Sequence, residues 1–189
     1  MPQTGLVGSR VVVGRLYAIL PSEGIPESVL PGWDATHARI LAAPAMGAAF
    51  VQYLLELDAG GGSDHRLGAE VEAFFYVLDG EAELTSSGRN HTLAPGGFAY
   101  LVPGSAFSIH ATRGARLLWL KKRHFGIDGK APREVVGNER AVAGEAFLGF
   151  DELRLKKLLP DTLEFELAMN IFTFQPGCSL PVTRSTSAA

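Results

Sequence analysis

Two pairs of carboxylates and five histidines are the residues of this chain best equipped for chemistry. Glu70 and Glu72 stand two apart, as do Glu164 and Glu166. Paired carboxylates support acid–base work only where their surroundings push their proton affinities apart. Glu70 and Glu72 share one face of a strand, opposite Ala73, and read as an outward, solvated pair. Glu164 and Glu166 flank Phe165 on a strand edge and read as solvent-facing. His65 lies in a Gly/Ser-rich turn and reads as a solvated loop residue. His110 shares a face with Ser108 and reads as a hydrogen-bonded core histidine, because one histidine does not make a metal site. His37, His91 and His124 have no partner pattern. Cys178, beside Pro176-Gly177, lacks an activating histidine and reads as an inert thiol. Gly60 to Gly62 precede no helix and no lysine, which leaves a phosphate loop unsupported.

The elements that would position these groups are short strands. Glu72 to Leu78 is dense in aromatic and β-branched residues, which suit a pleated, half-buried surface. Asp79-Gly80 supplies a tight hairpin turn, with Glu81 to Leu84 returning from it. Gly88 marks the next reversal, and Pro95-Gly96-Gly97 opens a strand, Phe98 to Val102, that stops at Pro103-Gly104. Ala48 to Asp58 alternates, with Val51, Tyr53, Leu55 and Leu57 on the core side and a flexible turn expected at Ala59 to Gly62. Val11 to Leu20, His37 to Ala43, Ala115 to Lys121 and Phe165 to Phe174 read as further strands. Asp151 to Leu159 fits a short helix or a strand equally. Strands this short, at near-regular spacing, predict an all-β sandwich or barrel.

Composition narrows the partners. The 189 residues carry a net charge of −3, so no basic footprint for nucleic acid is present. The one basic cluster, Lys121-Lys122-Arg123-His124, reads as a solvated strand end. A single cysteine excludes an internal disulfide. No run approaches the roughly 18 apolar residues of a membrane span, and no cleavable leader stands out. The reading is a cytoplasmic protein without a membrane partner.

The text EAFFYVLDGEAEL, followed by GRNHTLAPGGFAYLVPGSAF, resembles the two conserved cupin motifs that build a small jelly-roll barrel. With GAAFVQYLLEL upstream and LKKRHFGIDGKAP, VVGNER, KLLP and MNIFTFQPGCSLP downstream, the chain is similar to the bicupin (S)-ureidoglycine aminohydrolases of purine (allantoin) breakdown. The resemblance runs from about Arg10 to about Thr183. It implies an arm and strand over residues 1–34, a complete cupin barrel over 35–124, a surface connection over 125–160 and the start of a C-terminally truncated second cupin over 161–189.

The resemblance also implies a chemistry: manganese-assisted hydrolysis of a ureide, ureidoglycine, to ureidoglycolate and ammonia. A metal-binding cupin brings two histidines one residue apart, a glutamate and a third histidine to one point inside the barrel. Aligned on Gly80, the glutamate position falls on Ala73. The histidine pair falls near Arg66 and Gly68, or Leu67 and Ala69, and counting from Pro103 puts the third histidine at Ser108. Ala73, Phe75 and Val77 should line a packed, dry interior. The family's manganese site is expected in the second cupin, where Val182 to Ser187 offer no ligand. No catalytic, cofactor-binding or metal residue is therefore assigned, no cofactor is expected in this chain, and the chain is expected to be inactive. The alternatives are a non-catalytic cupin that binds a small molecule or serves assembly, and an unrelated metal cupin, against which the missing histidines argue. Unpaired apolar edges predict a homo-oligomer.

Overall fold

The computed structural model describes residues 12–14, 17–21, 24–126 and 130–180. In chain order the strands are β1 (Val12–Val13), β2 (Ala18–Ile19), β3 (Glu27–Ser28), β4 (Asp34–Ala42), β5 (Phe50–Arg66), β6 (Val71–Gly80), β7 (Ala82–Ser86) and β8 (Arg89–Leu93). There follow β9 (Gly97–Leu101), β10 (Ala106–His110), β11 (Ala115–Arg123), β12 (Val135–Asn138), β13 (Glu145–Phe147), β14 (Phe150–Lys157) and β15 (Asn170–Phe174). No helix among the described residues is long and apolar enough to cross a membrane.

The barrel is an antiparallel sheet with the strand order β12-β9-β6-β11-β5-β10-β7-β8, to which β4 adds along β5 and β3 along β4. The motif strands β6, β9 and β11 form its centre: Phe74 faces Leu120 on one side and Tyr100 on the other. The all-β architecture is as the sequence predicts, but Asp79-Gly80 is not a hairpin turn. Both residues lie in β6 opposite Arg116 and Ala115, and β7 leaves to pair with β8 and β10 instead of returning along β6.

Strand β5 departs from expectation. Gly60 to Gly62 do not end it; the strand bends there and continues to Arg66. Before the bend it pairs with β4 and β11, and after it with β10. The glycines permit this because the neighbouring backbone closes onto them. A Cβ on Gly61 would lie 2.2 Å from the Ala35 carbonyl oxygen, and one on Gly62 2.0 Å from that of Ile109. Close backbone approach, not flexibility, is what these glycines provide.

The segment expected to be a surface connection is also structured. Its β12 pairs with β9 and extends the barrel sheet, while β13 and β14 form a second, three-stranded sheet with β15. Asp151 to Leu159 resolves as strand rather than helix. The last predicted strand is shorter than expected, starting at Asn170, and Phe165 and Leu167 ahead of it are buried. Of the predicted Val11 to Leu20 strand, the described part is a small hairpin of β1 with β2; Val11, Arg15 and Leu16 lie outside the described residues.

Two apolar cores result, one on each face of the central strands. Inside the barrel, Ala73, Phe75, Val77, Leu55, Leu117 and Trp119 pack together. Outside it, Phe74, Phe98, Tyr100 and Leu120 are covered by Leu158, Leu159, Phe165 and Leu167. Residues 158–169 therefore form a strap over the outer face. Roughly 25 cal/mol per Å² of apolar surface removed from water drives that closure.

Candidate functional site

Strand alternation assigns each central side chain to a face. On β6, Ala73, Phe75 and Val77 point inward, so Glu72 points outward with Phe74 and Tyr76. On β11, Lys122 shares the outward face of Leu118 and Leu120, and His124 follows in the same phase. The strap turns this outward face into an interior. Glu72 is fully buried, in place of the solvated carboxylate the sequence suggests, whereas Glu70 is exposed and pairs with Arg123 at 2.9 Å.

A buried carboxylate persists only when its oxygens find donors or a cation. Glu72 Oε2 accepts hydrogen bonds from the Tyr100 hydroxyl at 2.6 Å and from His124 Nδ1 at 3.0 Å. Glu72 Oε1 has no hydrogen bond, and its nearest cation is Lys122 Nζ at 3.9 Å. Lys122 also donates to Glu166 Oε2, on the strap. Glu166 Oε1 accepts the backbone N–H groups of Phe125 and Gly126, each at 2.8 Å. Burial alone would raise the Glu166 carboxyl. The hydrogen bonds from Lys122, Gly126 and Phe125 outweigh it and hold the carboxyl down at about 2. Burial, and then the Glu72 carboxylate, push the Tyr100 phenol well above its ordinary value, so it remains a donor.

Three expectations are corrected here. Glu166 is not solvent-facing, His124 is not without partners, and the basic cluster is not a uniformly solvated strand end. Only Arg123 of that cluster is exposed, while Lys122 and His124 enter the network and Lys121 turns to the barrel interior. A signal for this burial was present in the sequence. Ala73 to Leu78 is a continuous apolar run, which marks a strand covered on both faces.

Ligand atoms of Glu72, His124 and Glu166 lie within 4.8 Å of one another. Carboxylates with an imidazole suit manganese or zinc by type. Lys122 already supplies positive charge between the carboxylates, and Glu72 Oε2, His124 Nδ1 and both Glu166 oxygens are engaged in hydrogen bonds. The network is an electrostatic clasp between barrel and strap.

The barrel interior is filled by rings. Phe75 stacks on Trp119 with centroids 5.8 Å apart, Trp33 meets Trp119 at 4.9 Å, and Phe107 meets Phe75 at 5.3 Å. Ala73 is interior as expected, but Ser108 is not: Phe107 and Ile109 point inward, and Ser108 lies on the outer face beside Asp64. His110 shares that outer face, 3.3 Å from Asp64 with its side chain 41% exposed, and is no core histidine. His65 is exposed and packs beside Phe107. His37 is a surface residue held between Glu27 and Asp58. Cys178 is free and exposed.

The cupin domain family model matches residues 53–121, the strands that enclose this ring-filled interior. Over 178 residues the chain is 33% identical to the (S)-ureidoglycine aminohydrolase of Escherichia coli strain K12, covering 92% of this chain and 68% of that protein. It is 32% identical to a probable (S)-ureidoglycine aminohydrolase of Oryza sativa subsp. japonica, spanning 54% of that relative's length. Among solved structures, the protein Ylba of E. coli superimposes with a TM-score of 0.82 at 30% identity, over 92% of this chain and 71% of that one. The likeness thus extends beyond the barrel, through the strap and the second sheet. The chain belongs to the (S)-ureidoglycine aminohydrolase family of cupin proteins.

Proposed function

We propose that this chain is the cupin scaffold of a ureidoglycine aminohydrolase-type protein, and that the barrel described here does not itself perform the hydrolysis. The reaction served would be release of ammonia from the ureide ureidoglycine to give ureidoglycolate. The manganese that the family resemblance implies would be held by residues outside this barrel, where it would polarise the substrate. One observation carries the reading: Phe75, Phe107, Trp33 and Trp119 occupy the space in which a catalytic cupin gathers its ligands.

The test is ammonia release from freshly generated ureidoglycine by the purified chain with added manganese, together with metal analysis of the same sample. The expected result is ammonia at the uncatalysed rate and far less than one metal per chain. Turnover with one bound metal, abolished by Glu72→Gln or His124→Ala, would overturn the proposal and make the clasp a catalytic centre.

A further inference from the structure

Lys121 is the interior-facing member of the basic cluster. It pairs in register with Ala73 across β6 and β11, so its side chain starts beside the position where the cupin pattern puts a metal-binding glutamate. Its Nζ lies 4.3 Å from the Trp119 ring centroid and 5.3 Å from that of Tyr53. Among the described residues no carboxylate forms an ion pair with it. The other lysines differ. Lys122 is bound by Glu166, Lys156 donates to the Glu139 carbonyl at 2.9 Å, Lys157 pairs with Asp161 at 2.9 Å, and Lys130 is exposed.

Lys121 lines a pocket of about 290 Å³ together with Pro44, Ala49, Phe50, Val51 and Val71, and with Lys122 and Arg123, whose charges are met by Glu166 and Glu70. The rings of Trp119 and Tyr53, which belong to the barrel core, lie beneath the amine. The ring faces attract the ammonium, but with no anion to hold its charge and apolar side chains replacing water around it, desolvation favours the neutral amine. Burial accordingly pushes the Lys121 ammonium below its ordinary value.

We infer that Lys121 at the barrel mouth is a covalent binding site for small, uncharged carbonyl compounds, held as an imine. The neutral amine nitrogen adds to the carbonyl carbon. Water then leaves, carrying the carbonyl oxygen and two protons, and the C=N bond remains. No oxidant, reductant or metal takes part, and the substituent of the carbonyl rests on Phe50, Val51 and Val71. This site is separate from the hydrolysis considered above, and either reading can fail without the other.

The test uses the full chain with propanal as the probe and cyanoborohydride to trap the imine. The trap adds hydride to the imine carbon, leaving a propyl group that peptide mass mapping locates. Lys121 should be alkylated several-fold faster than Lys122, Lys130, Lys156 and Lys157 in the same sample. Lys121→Met should remove that fast site and leave the other rates unchanged. If the variant does not fold, the ranking of lysines in the unaltered chain still decides. Labelling of Lys121 no faster than that of Lys130 would overturn the inference.

Discussion

Glu72 shows how one residue's role follows from its desolvation. The carboxylate is buried, so Tyr100 and His124 must satisfy it and Lys122 must balance its charge. Glu72→Ala would leave those donors facing one another without an acceptor. We expect a loss of roughly 3 kcal/mol in urea-denaturation stability, the usual cost of breaking one side of a buried pair. Glu72→Gln, which keeps an acceptor, should cost less. Glu166 adds a pH dependence. Its carboxyl ordinarily titrates near 4.5 and is held at about 2 in the fold, so it binds its proton more readily when unfolded. The resulting stabilisation is complete above the ordinary value and is lost as pH falls from there toward 2. Amide protection of residues 158–169, taken as exchange relative to the unstructured rate at each pH, should therefore fall over that interval, and Glu166→Gln should remove this acid limb. An unchanged acid limb in the variant would show that another group controls the strap.

At the scale of the element, β5 depends on a bend that side chains cannot enter. Gly62 has a φ of +154° and sits against the Ile109 carbonyl. Gly62→Ala should cost about 3 kcal/mol or more, combining backbone strain with overpacking against main chain that cannot yield. Gly88, in the β7–β8 turn, also has a positive φ, but nothing lies within 4 Å of a Cβ placed there. Gly88→Ala should cost only about 1 kcal/mol, the conformational part alone. Thermal melts of the two variants separate the contributions. Equal losses would mean that the close approach at Gly62 carries no weight.

At the scale of the whole molecule, the second sheet bears on assembly. Strand β15 forms one edge of the order β13-β14-β15, and Phe150, Phe172 and Phe174 are exposed on that sheet. Among the described residues that edge is unpaired, and an edge of this kind beside exposed rings favours association, so light scattering should show mass rising with concentration, and Phe172→Lys should reduce it. A monodisperse monomer at all concentrations would reject this. Much of the architecture was legible beforehand. Turn signals such as Gly88, between β7 and β8, and Pro103-Gly104, after β9, punctuated the strands, whereas Asp79-Gly80 belongs to β6 itself. The period of two placed Ala73, Phe75 and Val77 inside the barrel, where they lie. The filled interior was legible for the same reason, because inward side chains of a small barrel converge. The clasp was not, although the same alternation correctly turned Glu72 away from Ala73. By itself the sequence determined which face of each strand a side chain occupies, since that depends only on local backbone geometry. Whether an outward face meets water depends on what packs over it. Tertiary structure alone decided that, by laying a strap some ninety residues downstream of Glu72 across the sheet and bringing Glu166 to Lys122.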